Sequence, residues 1–116
     1  MRALAVKPKY AHQIIEGKKT IEIRSKRTKI KERVAIYSSA PEKKIIGTVE
    51  IVASSKCNDD IEYELYKNKH LAPDKYYIEG KTHFWHLRRP VKFGTPIPIK
   101  WPSTGSWAQI ELPGVD

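Results

Sequence analysis

The sequence has a single cysteine, Cys57, among its 116 residues. One thiol cannot form a disulfide within the chain or supply a cysteine-rich zinc site, so both are excluded. Long apolar runs are also missing, since none approaches the ~20 residues that a bilayer span needs. The stretch at the amino terminus is too short for the apolar region of a signal peptide. We therefore expect a cytoplasmic protein with no membrane contact.

Acidic residues are scarce: 13 oppose 22 lysines and arginines, which gives a net charge of +9. Residues 1–47 contain 13 basic and 4 acidic residues, whereas residues 48–116 contain 9 of each. The densest part, residues 24–33, has six basic residues and one acidic residue and is called the basic segment below. Such a segment favours binding of a polyanion through phosphate neutralisation, with Lys26, Arg27 and Lys29 as candidates. The alternative is a solvated loop that keeps the protein soluble.

The length and the pattern of short segments predict one domain, residues 1–116, of the α+β class. Strand patterns cover residues 2–6, 20–24, 33–37, 45–53 and 81–89, and a last strand is expected to turn Ala108, Ile110 and Leu112 inward. One helix begins at Pro8 and ends at Gly17, and a second, capped by Asn58, is expected to carry Ile61, Leu65 and Tyr66. The prolines at 90, 96 and 98 predict an edge strand or irregular chain. Five or more strands with two short flanking helices favour a small closed or nearly closed barrel, because closure removes exposed edges.

The segment between the first helix and the second strand concentrates the polar chemistry. Its sequence is Gly17-Lys18-Lys19-Thr20-Ile21-Glu22-Ile23-Arg24. The glycine permits a sharp turn that presents Lys19 at the mouth of the strand. In the strand, Ile21 and Ile23 are expected to face the core, with Thr20, Glu22 and Arg24 on the opposite face. The lysine and arginine can hold a phosphate or polarise a carbonyl, and the acid can accept protons. The alternative is a salt-bridge cluster that only closes the sheet surface.

These residues resemble the G-x-K-x-x-E-x-R signature of the ASCH superfamily at all four defined positions. The surrounding order of strand, Lys7-Pro8-Lys9-Tyr10, short helix and strand is similar too, and the resemblance covers roughly residues 3–112. It implies a PUA-like β-barrel with a cleft between the barrel and the first helix. The implied ligand is RNA, single-stranded nucleic acid or a modified nucleoside. Within that cleft the resemblance places Lys19, Glu22 and Arg24.

The resemblance also implies two enzymatic alternatives that share Lys19 as a catalytic residue. One is an amidohydrolase of acylated cytidine, and the other is a ribonuclease acting on single-stranded RNA. Glu22 stands where the amidohydrolases carry a nucleophilic threonine, and a carboxylate cannot replace that hydroxyl as acyl acceptor. The ribonucleases add a tyrosine and a late serine, for which Tyr10 and either Ser103 or Ser106 are candidates. We accordingly take a binding module as the main hypothesis. The alternative is an RNA hydrolase or nucleoside amidohydrolase that uses Lys19 with Glu22 or a hydroxyl as catalytic residues.

Further candidates lie in the last quarter of the chain. Trp107 follows a hydroxyl-rich loop and is predicted to stack on a base, whereas Trp85 and Trp101 are expected in the core. The candidate nucleic-acid contacts are thus Lys18, Arg24, Lys26, Arg27, Lys29, Ser103, Thr104, Ser106 and Trp107. His83 and His86 point to opposite faces of a strand, so no metal and no cofactor are expected. The protein is expected to be a monomer; a weaker hypothesis is that its basic face docks an acidic protein.

Overall fold

A computed structural model describes residues 1–113, and its centre is one six-stranded mixed sheet. The strands are β1 (Arg2–Val6), β2 (Ile21–Arg24), β3 (Arg33–Ser38), β4 (Lys44–Lys56), β5 (His83–Pro98) and β6 (Trp107–Gln109). Their order in the sheet is β2-β5-β4-β3-β1-β6. Strands β1 and β3 are parallel, and every other neighbouring pair is antiparallel.

The helices are short and lie in the connections between strands. They are α1 (Pro8–Ile15), α2 (Asp60–Leu65) and α3 (Lys67–His70), followed by a 3-10 helix at Asp74–Tyr76. As predicted, Pro8 opens α1, and Gly17 follows its end with a φ of +81°. The helix packs its buried residues onto the sheet, where they join the main core cluster with side chains of β1, β3, β4 and β5. No helix in residues 1–113 is long and apolar enough to cross a membrane.

The closed or nearly closed barrel predicted from the sequence is not confirmed. Within residues 1–113, β2 and β6 stand at opposite ends of the sheet order and do not pair. The α+β class and the number of strands agree with prediction, but the helices number three plus the 3-10 helix rather than two. Residues 114–116 of the predicted domain lie outside the described residues.

Strand β5 runs through all three prolines, and the part that holds them pairs with β4 alone, as expected of an edge strand. Only its first part, residues 83–86, lies between β2 and β4, and its pairing with β4 shifts register at three places. Between the pairs Thr48↔Val91 and Glu50↔Arg88, two β5 residues oppose one β4 residue, and Pro90 is one of these two. Another shift lies between Gly47↔Lys92 and Ile45↔Ile97 and includes Pro96. The irregular pairing therefore accommodates residues that cannot donate to a ladder.

For the second helix, the N-cap residue and the buried face predicted from the sequence are wrong. Asp59, one residue after Asn58, accepts the capping hydrogen bond from the Glu62 N–H at 2.8 Å. Ile61 and Leu65 are 68% and 72% exposed, while Tyr63 is buried in the third core cluster. A helix of six residues has too few turns for apolar spacing to identify its inner face reliably.

Candidate functional site

A cleft in the described chain lies where β1, α1, β2 and the 3-10 helix meet. Its volume is about 350 Å³. Its principal polar and aromatic residues are Lys7, Tyr10, Lys19, Glu22, Arg24 and Tyr76, and smaller residues such as Ser25 and Ser39 complete the walls. The structure therefore brings together the three predicted motif residues and Tyr10 in one cavity.

Lys19 is buried rather than exposed at the mouth of the cleft, which corrects the expectation from sequence. After Gly17 the chain turns tightly, with the N–H groups of Lys18 and Lys19 both donating to the Gln13 carbonyl. This turn directs the Lys19 side chain inward, where it is 1% exposed. Its ammonium donates to the His70 carbonyl, lies 3.6 Å from Glu22 Oε1 and lies 5.1 Å from the centre of the Tyr10 ring. Burial lowers the pKa of Lys19, and the Glu22 carboxylate opposes that shift.

Glu22 is held between two cations. Arg24 Nη2 and Nε lie 2.7 and 2.9 Å from Glu22 Oε2, while Lys19 approaches the other carboxylate oxygen. Arg24 Nη2 also donates to the Ala5 carbonyl at 3.0 Å, which ties β2 to β1. Glu22 was expected on an open polar face, but its side chain is only 8% exposed. The motif is thus a buried ionic chain in which the carboxylate orients both cations.

His70 stabilises the ionic chain of Lys19, Glu22 and Arg24 through its backbone carbonyl, which accepts from Lys19. Its ring is buried, with Nε2 2.8 Å from the Tyr63 carbonyl and Nδ1 accepting the Ala72 N–H at 2.9 Å. An Nδ1 that accepts carries no proton, so the ring is neutral with its hydrogen on Nε2. Burial lowers the pKa of His70, which agrees with that assignment. The locked ring fixes the backbone carbonyl to which Lys19 donates, and no sequence spacing marked His70 for this role.

Two aromatic residues and one lysine form the other wall. The Lys7 ammonium donates to the Tyr76 hydroxyl at 3.0 Å, and the Tyr76 ring meets Tyr10 edge to face at 6.2 Å. The hydrogen bond lowers the pKa of Tyr76 and raises that of Lys7, whereas burial raises the pKa of Tyr10. Tyr10 was predicted, but Lys7 and Tyr76 were not given a role. Tyr10 and Tyr76 are 66 positions apart in the chain, so no local sequence pattern would join them.

The other predicted basic residues do not line the cleft. Lys18 is exposed and lies 3.5 Å from Glu16. Lys26 is exposed at the surface, while Arg27 and Lys29 line a separate groove of about 370 Å³ that shares no lining residue with the cleft. The basic segment is mainly the loop from β2 to β3, and only its first two residues, Arg24 and Ser25, line the cleft.

The hydroxyl-rich loop and Trp107 are also outside the cleft lining. Ser103 Oγ donates to the Trp107 carbonyl at 2.8 Å and accepts from the Gly105 N–H, which is turn formation. Thr104 lines a shallow surface groove with Ser103, and the Ser106 carbonyl accepts from the Ala5 N–H. The Trp107 ring stacks on Trp85 at 5.9 Å and packs against the main core cluster. Its predicted base-stacking role therefore remains a prediction.

The described part of the chain contains no cluster of side chains suited to bind a metal ion. Residues 1–113 hold no group of three or more histidine, cysteine or acidic side chains placed to bind an ion. His86 Nε2 instead lies 2.8 Å from Ser55 Oγ. The arrangement in the cleft is one of fixed cations around a carboxylate, with phenol groups and hydroxyls.

Comparison with known proteins gives one family and a set of similar folds. The model of the ASCH domain matches residues 4–96. ASCH from Zymomonas mobilis superposes with a TM-score of 0.78 at 22% identity, covering 95% of this chain and 87% of that one. Crystal structures of two mutants of the Zymomonas mobilis protein, one serine-to-alanine and one tyrosine-to-phenylalanine, superpose with TM-scores of 0.77 and 0.78 at 21% identity. They cover 95% of this chain and 87% and 89% of theirs. No curated protein matches the chain significantly.

Proposed function

The chain belongs to the ASCH domain family, and we propose that it is an RNA-binding module that takes one nucleobase of a single strand into the cleft. The observation that carries this proposal is the convergence of Lys19, Glu22, Arg24 and two tyrosines on one cavity. At about 350 Å³ the cavity lies near the lower end of the roughly 300–1,000 Å³ range of small-ligand sites. That size suits a single nucleoside better than a larger ligand.

The cations of the cleft offer hydrogen-bond donors to a ligand. Lys19 has three donors, of which one is directed to His70 and one to Glu22. Arg24 uses its Nε and Nη2 groups on Glu22 and Ala5, so within residues 1–113 its Nη1 donors make no hydrogen bond. These remaining donors match the carbonyl oxygens and ring nitrogens on base edges. Glu22, with both oxygens facing cations, positions Lys19 and Arg24 and does not itself read the base.

The aromatic wall supplies the second element of recognition. Single-stranded RNA is bound mainly through unstacked bases that lie against aromatic side chains. Tyr10 and Tyr76 are half-buried, which leaves part of each ring open to the cavity. The exposed Lys26, Arg27 and Lys29 outside the cleft would attract the phosphate backbone without sequence preference.

Retention of labelled single-stranded RNA by the wild-type protein and two variants tests this proposal. Arg24→Gln removes the cleft arginine, and Arg88→Gln removes an exposed arginine that makes a similar pair, 2.8 Å from Glu50. Both variants lose one positive charge, so a general electrostatic effect is matched between them. We expect Arg24→Gln to weaken binding about tenfold or more and Arg88→Gln by much less. Equal affinity of the two variants would contradict binding in the cleft.

A hydrolase is the second candidate, because the cleft holds groups with perturbed acidity. The pKa of Lys19 is lowered by burial and that of Tyr76 by Lys7, and both changes favour general-base chemistry on a ribose 2′-hydroxyl. Hydrolysis of acylated cytidine is less well supported, because Glu22 is enclosed by cations and no nucleophilic hydroxyl occupies its position. The same labelled RNA, resolved for cleavage products, distinguishes the hydrolase from the binding module.

A further inference from the structure

A second groove adjoins the cleft on the side of β2. Its volume is about 170 Å³, and it shares Ile23, Arg24, Ser25 and Tyr76 with the cleft lining. The groove is completed by Lys75, Ile78 and Lys81, which come from the 3-10 helix and the chain leading to β5. Arg24 and Tyr76 thus line both the cleft and the adjoining groove.

The groove combines three cations with apolar surface. Arg24, Lys75 and Lys81 contribute positive charge, and no acidic side chain lines the groove. Within residues 1–113 neither Lys75 nor Lys81 lies within 4.0 Å of a carboxylate, whereas the nearby Asp74 is engaged by Lys67 at 3.1 Å. Ile78 is 54% exposed and sits among these charges. Cations beside apolar surface match a phosphate joined to a sugar and its base.

We propose that this groove binds the phosphate and sugar that continue from the nucleoside held in the cleft, so that the ligand is a nucleotide chain rather than a free nucleoside. This inference rests on the proposed function and decides between two ligand classes that the sequence leaves open. Arg24 serves both subsites: its Nη1 donors remain free in the described chain, while its Nε and Nη2 groups hold it against Glu22 and Ala5. The groove of the basic segment shares no lining residue with the cleft, so it is not the direct continuation.

The test compares four nucleosides, their 3′- and 5′-monophosphates and the matching dinucleoside monophosphates by NMR or calorimetric titration. The double variant Lys75→Gln/Lys81→Gln removes the two groove cations. The double variant Lys44→Gln/Lys92→Gln removes two exposed strand lysines that line neither the cleft nor the groove. Thermal melts of both variants verify folding, which we expect to be intact because all four lysines are exposed.

With wild-type protein we expect at least one dinucleotide to bind about tenfold more tightly than its nucleoside. The Lys75→Gln/Lys81→Gln protein should lose this gain while keeping its nucleoside affinity, and the control variant should keep both. If a monophosphate and the dinucleotide bind more tightly than the nucleoside by the same factor, the groove binds phosphate alone rather than a continuing strand. If the dinucleotide binds more tightly than the monophosphate, the groove binds a continuing strand. The proposal for the groove would be wrong if a phosphate did not increase the affinity above that of the nucleoside, or if the increase persisted in Lys75→Gln/Lys81→Gln. Nucleoside binding in the cleft would be unaffected by either result. Failure of every probe to bind would refute the cleft as well.

Discussion

Lys19 donates a hydrogen bond to the backbone carbonyl of His70, a residue 51 positions further along the chain. The contact joins the turn after α1 to the end of α3 and holds the ammonium against Glu22 and Tyr10. The same side chain is therefore a structural link and the innermost cation of the cleft. Substitution of the lysine is therefore expected to change the stability of the fold as well as ligand binding.

Lys19→Met keeps the bulk of the side chain and removes its charge. The His70 carbonyl then loses a donor and Glu22 keeps only Arg24, so we expect a loss of about 1–3 kcal/mol in the free energy of unfolding. Denaturant titration measures this loss. An unchanged stability would show that the lysine is not a structural link.

The pH dependence of that difference follows from the lowered pKa of Lys19. Between the lowered folded pKa and the ordinary value of 10.5, the unfolded chain binds more protons at this residue than the folded chain. Stability contributed by Lys19 should therefore rise with pH across that window, and Lys19→Met should lack the rise. Unfolding curves of both proteins between neutral pH and pH ~10 check the sign.

His70→Gln tests the neutral histidine. Because burial lowers the pKa of His70, the unfolded chain binds more protons below the ordinary value of 6.5. The wild type should lose stability as the pH falls from 6.5 through the lowered folded pKa, since protonation of Nδ1 would break its bond with the Ala72 N–H. The variant is expected to be less stable at neutral pH but to show a shallower acid decline. An equally steep decline would assign the loss to other groups.

Glu22→Gln tests the buried carboxylate against Glu50, whose side chain is 24% exposed and also pairs with cations. The variant leaves two cations facing a neutral amide, and we expect about 2–4 kcal/mol of destabilisation together with weaker nucleoside binding. Glu50→Gln alters a carboxylate paired with Arg88 and Arg89 at the surface and should cost less than about 1 kcal/mol. Equal losses in thermal melts of the two proteins would contradict the ionic chain described for the cleft.

The basic segment should contribute charge without base recognition. Replacing Lys26, Arg27 and Lys29 by alanine should flatten the plot of log K against log salt by up to two to three phosphate equivalents, at about 0.7 per phosphate on single strands. Binding of an uncharged nucleoside should stay the same, because these side chains do not line the cleft. An unchanged salt slope would remove the segment from the RNA path.

The parts of the fold that follow from local sequence were predictable. The alternation from Ile21 to Arg24 and the proline and glycine at the ends of α1 identified β2 and α1. The six-residue α2 was misjudged, because its buried residue is set by packing of Tyr63 against the third core cluster. The three β5 prolines correctly indicated an irregular edge, whereas the register shifts that let one strand run through them leave no trace in either strand alone.

The candidate site also has features that the sequence predicts and features that depend on distant residues. Lys19, Glu22 and Arg24 lie within one short segment, and their grouping was visible in the sequence. Their burial was not visible, because it depends on His70 and on a wall contributed by the 3-10 helix. Tyr76 and the groove lysines Lys75 and Lys81 were missed for a similar reason. Their neighbours in space come from residues about fifty positions earlier in the chain.

The most direct test of the central claim is a titration of ¹⁵N-labelled protein with short single-stranded RNA, followed through backbone amide shifts. Binding of a base in the cleft predicts the largest shifts at Tyr10, Lys19, Glu22, Arg24 and Tyr76. It also predicts that the same amides move with a mononucleoside at higher concentration. Shifts confined to the basic segment, or to the exposed face of α2, with the cleft amides unmoved, would contradict it.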